Sequence, residues 1–170
     1  MTRWLDDEEL DAWVRLVALV ELLPGVLESQ LRRDSDLTHF EYYVLAMLSE
    51  VPDRRMRMSA LAAAAHATLP RLSHVVSRLE KRALVQRSAC AQDGRATNVA
   101  LTEDGWQLLR SAAPGHVEQV RQTVLDALTR EQVTQLSAIA AAVLTRVDPG
   151  GALTAPRLRR NAPRAEGVEP

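Results

Sequence analysis

Apolar residues recur with helical spacing along most of this chain. In the first segment they follow one helical face, at Leu10, Trp13, Val14, Val17, Val20, Leu23, Val26, Leu27 and Leu31. The pattern predicts a helical arm over about residues 8–33. Pro24-Gly25 interrupts it and predicts a kink or short break, because proline removes a backbone hydrogen bond and clashes with the preceding turn.

Two later regions begin with threonine caps. Thr38 and Glu41 have the spacing of a capping box and open a helix that stops before Pro52. Thr102 precedes acidic residues that suit a helix N-terminus and opens a helical region over about residues 103–147. Further signals in that region are a kink or break at Pro114-Gly115, a capping box at Thr129 and Gln132, and a packing seam at Val133, Leu136, Ala140, Val143 and Val147.

Two helices joined by a tight turn are predicted in the middle of the chain. Ser59 is the predicted cap of a short alanine-rich helix, and His66-Ala67 is long enough only for a turn. Thr68 caps a longer helix that tolerates Pro70 in its first turn. This second helix carries an apolar stripe at Leu72, Val76 and Leu79. The spacing is that of a helix-turn-helix.

A hairpin is predicted directly after these helices. Segments of mixed polarity over residues 84–90 and 96–101 flank Asp93-Gly94, and Asp-Gly is a strong hairpin signal. The predicted fold of residues 1–148 is therefore mainly α with a small β-hairpin wing. A winged helix-turn-helix over about residues 37–102 lies between the N- and C-terminal helices. Residues 149–170 are basic, lack a periodic apolar face, and are predicted to be a disordered tail.

Charged residues are distributed unevenly along the chain. The formal net charge is −1, yet residues 1–50 hold 11 acidic and 4 basic side chains, and residues 51–100 hold 3 acidic and 9 basic ones. A basic middle suits a localised phosphate-binding surface, and a solvated charged face is the alternative. The chain has one cysteine, which argues against a disulfide framework and against a zinc site built on several cysteines. It has no apolar run long enough to span a membrane. We therefore expect a cytoplasmic protein.

The helix over Thr68–Arg82 carries a basic and polar face opposite its apolar stripe. Arginine can bind guanine through two hydrogen bonds, and residues near the start of a recognition helix usually reach the bases. Base reading is predicted for Arg71 and His74, and thymine-methyl contact for Leu69-Pro70. The remaining predicted DNA contacts, several of them to phosphate, are Thr68, Ser73, Ser77, Arg78, Lys81, Arg82 and Arg87. A solvated surface helix is the alternative.

The hairpin tip supplies a second predicted contact. Arg95 suits insertion into a minor groove, whose negative potential attracts guanidinium groups. Asp93 would repel phosphate unless it were paired, and we predict that it orients Arg95 or Arg87. A simple turn role for Asp93 is the alternative.

Residues from about 10 to 147 resemble the multiple-antibiotic-resistance-regulator (MarR) family. Leu72–Arg82 resembles its recognition helix, Asp93-Gly94-Arg95 matches its wing motif, and Val99–Gly105 matches the segment leading out of the wing. Ala83 departs from the glycine usual after that helix, and alanine costs about 1 kcal/mol if the position needs a positive φ. Pro24-Gly25 inside the first helix is also unusual.

The resemblance implies an obligate homodimer, paired through the N- and C-terminal helices. Such a dimer would read a pseudo-palindromic operator with half-sites about one turn apart. The resemblance also implies a repressor that a small aromatic or phenolic effector releases from DNA. The effector site would lie between the dimer helices and the winged domain, lined by Trp13, Leu16, Val17, His39, Tyr42, Tyr43 and Met47. Core or interface packing is the alternative for each of them.

Other interpretations stay open at this point. Cys90 could support a redox-responsive regulator if Arg87 or Arg95 activates its thiolate. A protein-interaction module without DNA activity could share the fold, although that hypothesis predicts loss of the basic helix face. No cofactor, metal site or enzymatic activity is predicted, since the chain shows no Gly-rich phosphate loop and no nucleophile with an evident base, and its four histidines contain no i, i+4 pair.

Overall fold

The computed structural model describes residues 1–90 and 93–148, with the side chains of 93–95 excluded; the predicted tail over 149–170 lies outside the described residues. Within this part the chain forms six α-helices and a three-stranded sheet. The helices are α1 (Asp7–Ser35), α2 (His39–Ser49), α3 (Met58–Ala64), α4 (Leu69–Lys81), α5 (Glu103–Thr123) and α6 (Arg130–Val147), and the strands are β1 (Arg55–Arg57), β2 (Val85–Cys90) and β3 (Asp93–Leu101). Short 3-10 turns occupy Pro52–Arg54 and Leu125–Ala127.

Threonine side chains cap four of the helices, as predicted. Thr38 Oγ1 accepts a hydrogen bond from the Glu41 N–H at 3.0 Å, and the Glu41 carboxylate accepts one from the Thr38 N–H at 2.8 Å. Thr129 forms the same reciprocal pair with Gln132 at the start of α6, whereas the side chains of Thr68 and Thr102 only accept a backbone N–H at the starts of α4 and α5. These contacts satisfy backbone donors that have no partner inside a helix.

The predicted cap at Ser59 is wrong. Helix α3 begins one residue earlier, at Met58, and its cap position is Arg57, whose side chain makes no capping hydrogen bond. The reason is tertiary: residues 55–57 pair with β3 as a strand, so the chain enters α3 directly from the sheet.

The two prolines predicted to interrupt helices do not end them. Helix α1 continues through Pro24 and α5 continues through Pro114. A proline in a helix leaves one carbonyl of the preceding turn without its usual donor. Pro24 and Pro114 are both exposed, so water can satisfy that carbonyl and the helix persists.

The sheet confirms the predicted hairpin and adds a strand to it. All pairings are antiparallel, in the order β1-β3-β2, with Val85 opposite Leu101 at one end of the hairpin. The register shifts between Ala89 and Cys90, and Cys90 lies opposite Asp93. Because the pairing with β2 extends to Asp93, Asp93 and Gly94 belong to β3, and the predicted hairpin turn at these two residues is wrong. The extra strand β1 places Arg55 opposite Ala100 and Arg57 opposite Asn98, so the entry to α3 is fixed against the wing.

The core lies where α2, α3, α4 and the sheet meet the end of α1 and the first half of α5. Its largest fully buried side chains are aliphatic: Leu31, Leu37, Val44, Leu45, Leu48, Leu61, Leu72, Val76, Leu79, Val85 and Val99. By contrast, α6 has no buried residue, and the first half of α1 exposes large apolar side chains such as Trp13, at 56%, and Val20, at 60%. Most of the core therefore belongs to residues 39–101, from α2 to β3, which we call the winged unit. The arm helices, α1 and α6, project apolar faces from it. No helix in the described part is long and apolar enough to cross a membrane.

A tight turn after α4 connects this helix to the wing. Ala83 has a φ of 57°, in the left-handed region, and its N–H donates to the carbonyl of Glu80 while that of Leu84 donates to Leu79. This is a Schellman arrangement, in which glycine is preferred. Helix α5 then packs so closely that a Cβ at Gly105 would overlap the carbonyl oxygen of Leu84.

We expect Ala83→Gly to raise the free energy of unfolding by up to about 1 kcal/mol, because glycine adopts a positive φ without a Cβ clash. Urea unfolding followed by circular dichroism measures the change. Ala63→Gly is the matched control, since Ala63 is an exposed residue inside α3, where glycine should cost about 1 kcal/mol. Destabilisation by both substitutions would contradict the interpretation of the Ala83 turn.

Candidate nucleic-acid interface

Helix α4 buries one face and exposes the other. Leu72, Val75, Val76 and Leu79 are buried against the core, which includes the predicted stripe and adds Val75. Eight of the predicted contact positions on α4 and at its two caps are exposed: Thr68, Pro70, Arg71, Ser73, His74, Arg78, Lys81 and Arg82. Because the apolar face is fully engaged in the core, this polar face is fixed in its orientation towards solvent.

The start of α4 lines a groove of about 560 Å³. Its walls come from the entry to α3, the start of α4 and the wing, and its lining residues are Arg57, Met58, Ser59, Leu69, Pro70, Ser73, Ala96 and Thr97. Pro70 and Ser73 were predicted to contact DNA. The groove places them beside Arg57, Ala96 and Thr97 of the strands, which were not predicted to do so.

Strand β1 contributes the basic residues that sequence reasoning missed. Arg55 and Arg57 are exposed while Met56 between them is half-buried. The sequence contains a signal for this strand, because Arg55-Met56-Arg57-Met58 alternates polar and apolar residues with the period of a strand. Three residues were too few to separate a strand from a loop. The neighbouring Arg54 is engaged elsewhere, with its guanidinium 4.3 Å from the centroid of the Trp106 ring and an ion pair to Glu103.

Arg78 has an intramolecular partner. Its Nη2 lies 2.8 Å from Oε1 of Glu41, whose side chain is only 6% exposed. Burial alone would raise the pKa of Glu41, but hydrogen bonds from Thr38 and the charge of Arg78 outweigh burial, so the pKa lies below its ordinary value. Arg78 therefore neutralises a buried carboxylate and ties α4 to α2, and its predicted phosphate contact remains a prediction.

Arg87 and Arg82 also bind within the chain. The Arg87 guanidinium donates to the Glu80 carboxylate at 3.0 Å, to the Ser73 carbonyl at 2.7 Å and to Ser77 Oγ at 2.9 Å. Arg82 Nη1 donates to the Asp36 carbonyl at 2.7 Å. Arg87 thus fastens the exposed side of α4 to β2. Its described acidic partner is Glu80.

The two predicted base-reading residues lie on the open side of α4. The Arg71 guanidinium lies 4.5 Å from the centroid of the Phe40 ring, a cation–π contact that orients the side chain near the start of α4. His74 is exposed one turn further along. The side chains of Asp93 and Arg95, the predicted wing contacts, lie outside the described residues, and the backbone there continues β3.

The residues predicted to form an effector pocket fall into two separate groups in one protomer. His39, Tyr42, Tyr43 and Met47 are half-buried on α2. Trp13, Leu16 and Val17 are exposed on α1, about 27–33 Å along the helix axis from its end at Ser35, whereas α2 is only about 16 Å long. The described chain alone does not bring the two groups together.

The α2 group instead meets a histidine from α5. The Tyr42 and His116 ring centroids are 4.4 Å apart, and those of His39 and His116 are 6.1 Å apart. Burial, followed by the charge of His39, lowers the pKa of His116. Burial also lowers the pKa of His39, with Glu28 opposing it. Among the described atoms His116 Nδ1 and Oε1 of the buried Gln30 have no hydrogen-bond partner.

The exposure and the cationic neighbours of Cys90 differ from those that the redox hypothesis predicts. Cys90 is 8% exposed, and Nη2 of Arg57 lies 3.6 Å from its sulfur. Arg87, one of the two expected activating cations, is bound to Glu80. Arg57 therefore supplies a cationic neighbour of the kind that activates a thiolate, whereas the low exposure of Cys90 restricts the access of an oxidant.

Known proteins share both the sequence pattern and the fold. A family model described as the MarR family matches residues 35–96. A MarR family transcriptional regulator from Streptomyces coelicolor, solved in complex with DNA, is 43% identical, with a TM-score of 0.84 over 88% of this chain and 93% of that one. AbsC, a MarR family transcriptional regulator from the same organism, is 38% identical, with a TM-score of 0.80 over 86% of this chain and 98% of that one.

A more distant structure has the same fold. The Staphylococcus aureus MepR–DNA complex is 24% identical, with a TM-score of 0.69 over 79% of this chain and 97% of that one. The arrangement of winged unit and flanking helices thus persists when most of the sequence differs.

We expect Arg78→Ala to lower the free energy of unfolding by about 1–3 kcal/mol at neutral pH, because it leaves the buried Glu41 carboxylate without its guanidinium partner. The lowered pKa of Glu41 means that this stabilisation exists above the ordinary glutamate pKa and is lost as the pH falls through the folded-state value. Urea unfolding at neutral and acidic pH measures it. Lys81→Ala, an exposed charge on the same helix, is the control; equal losses for both variants would refute the role given to Arg78.

Acid is expected to destabilise the α2–α5 contact. Because the folded-state pKa of His116 is lowered, the unfolded chain binds more protons, and stability falls as the pH drops below the ordinary histidine value of about 6.5. His116→Gln should flatten the dependence of the unfolding free energy on pH in this range. The same substitution at the exposed His74 controls for loss of an imidazole, and an unchanged slope in the His116 variant would exclude the mechanism.

Proposed function

The chain belongs to the MarR family of transcriptional regulators, and we propose that it binds double-stranded DNA as a sequence-specific regulator. The observation that carries the proposal is the exposed basic face of α4, held outward by a fully buried apolar face. Support also comes from the relative at 43% identity, which was solved in complex with DNA.

In this proposal α4 lies in a major groove. The helix has 13 residues and is about 20 Å long, which suits a groove about 12 Å wide. Arg71 and His74, near its start, read base edges, and Lys81, near its end, contacts phosphate. Arg55 and Arg57 on β1 add phosphate contacts beside the groove that the wing and α4 share. The wing residue Arg95 enters the adjacent minor groove.

A homodimer is the second part of the proposal. The arms expose apolar side chains along helix faces that are too extensive for a monomer surface; these include Trp13, Val14, Leu16, Val17, Val20, Leu136, Ile139 and Val143. A second copy of the chain would cover them through α1 and α6. Two-fold symmetry then sets two α4 helices on half-sites of a pseudo-palindrome. Sedimentation equilibrium giving a monomer at micromolar concentration would rule this out.

Repression relieved by a small aromatic or phenolic effector is the third part. The half-buried rings of His39, Tyr42 and His116 on α2 and α5 supply aromatic surface and polar atoms of the kind that bind such a ligand. Since Trp13, Leu16 and Val17 lie beyond the reach of α2 in one protomer, a complete site requires a second copy. Loss of operator binding on titration with phenolic compounds tests this part.

Arg71→Ala is expected to weaken binding to the operator by about 10- to 100-fold, because it removes one base-reading interaction of about 1–3 kcal/mol. Protection footprinting over the promoter beside the gene first locates the operator, and a fluorescence-anisotropy titration then measures Kd. Arg130→Ala, which removes an equally exposed arginine from the start of α6, is the matched control. Equal affinities for the two variants would count against base reading by α4.

A further inference from the structure

Leu69 is an exposed apolar residue at the start of the candidate recognition helix. It is the first residue of α4 and is 51% exposed, whereas the leucines and valines further along this helix are buried. Among the described residues of the winged unit, Leu69 is the one large apolar side chain that stays exposed. A homodimer through α1 and α6 would cover exposed residues of those two helices. Leu69 lies on a different element, on the side of the molecule proposed for DNA.

Leu69 lines the groove between α4 and the wing, and half of the eight residues that line this groove are apolar. The apolar residues come from three elements: Met58 from α3, Leu69 and Pro70 from α4, and Ala96 from β3. The polar residues are Arg57 and three residues with hydroxyl groups. The groove therefore presents an apolar surface next to hydrogen-bonding groups and a positive charge. It suits an apolar substituent of a partner that is itself anionic.

The edge of a DNA strand has this combination of groups. In the major groove each thymine carries a 5-methyl group, which proteins recognise by apolar contact, and the phosphates of the strand are anionic. 5-Methylcytosine carries the same group at the same ring position. Residues at the start of a recognition helix usually reach base edges, and Leu69 lies two residues before Arg71, to which the proposed function gives base reading. The exposed cations Arg55 and Arg57 of β1 suit the phosphates.

We propose that Leu69, which lines the groove with Pro70 and Met58, binds the 5-methyl group of one pyrimidine in each half-site. This inference rests on the proposed function, since it needs α4 in a major groove. The sequence predicts a thymine-methyl contact for Leu69-Pro70, and the groove adds Met58 of α3 to that contact. A methyl group is recognised by burial of apolar surface and not by hydrogen bonds. The regulator therefore responds to methylation when the pyrimidine at this position is cytosine.

The test measures the Kd of the full chain for its operator, located by footprinting, with one base at a time changed in both half-sites. Replacing a thymine by deoxyuridine removes only the methyl group, and replacing a cytosine by 5-methylcytosine adds only that group. Fluorescence anisotropy reports binding of each duplex to the unchanged chain, to Leu69→Ala and to Leu69→Met. Lys81→Ala is the matched control, because it removes an exposed α4 side chain assigned to phosphate and not to a base. Circular dichroism verifies that each variant folds.

At one position the methyl group should strengthen binding by the unchanged chain about fourfold per half-site, the gain expected from burying one methyl group, and about 16-fold for both half-sites together. Lys81→Ala should weaken binding to all duplexes by one factor and keep this methyl effect. Leu69→Met should also keep the effect, because methionine preserves the apolar volume, and Leu69→Ala should lose it.

The inference is overturned when the unchanged chain binds the operator but no position of the half-site shows a methyl effect that Leu69→Ala removes. The proposed function stands in that case. Failure of the unchanged chain to bind any operator would overturn both.

Discussion

The carboxylate of Glu41 connects the parts of the winged unit that must keep a fixed geometry. It accepts the N–H of Thr38 and so fixes the first turn of α2, and it pairs with Arg78 on α4 at 2.8 Å. A carboxylate that is 6% exposed is costly unless it is compensated in this way. The same group therefore defines where α2 begins and how α4 lies across it, and the aliphatic core fills the space between them.

A consequence is that the arginines of the winged unit perform two different tasks. Arg78 and Arg87 hold α4 against α2 and β2 through Glu41 and Glu80. Arg71 remains on the open face, stacked on Phe40, with Arg55 and Arg57 on the neighbouring strand. A rigidly supported helix presents its outer side chains with little loss of conformational entropy on binding, which favours recognition of a fixed groove.

The flanking helices α1 and α6, unlike the winged unit, leave most of their apolar residues exposed. The winged unit buries its apolar residues within one protomer, whereas α6 buries none of its residues and the first half of α1 stays exposed. Monomeric proteins rarely expose contiguous apolar faces of this kind. The contact of Asp148 with His66 links the end of α6 to the turn before α4. The end of α6 therefore contacts the turn that leads into the candidate DNA-binding helix.

Local signals determined most of the secondary structure from the sequence alone. The threonine caps at Thr38, Thr68, Thr102 and Thr129 and the apolar stripe on α4 each act within a few residues. The hairpin was also predicted, although Asp93 and Gly94 lie in β3 and do not form its turn. The sequence left open whether Ala83 needs a positive φ, and the structure shows that it does, because α4 ends in a left-handed residue before the buried Leu84.

Only the tertiary structure decided the rest. Whether β1 forms depends on β3, more than 40 residues away, and the persistence of helices through Pro24 and Pro114 depends on exposure to water. The division of the arginines depends on which carboxylates fold beside them: Glu41 lies 37 residues from Arg78. Hydrophobic periodicity identifies which face of α4 is polar. Ion pairs with residues distant in sequence determine which charges on that face stay available to a partner. The reason is that Coulomb attraction depends on distance in space and not on separation along the chain.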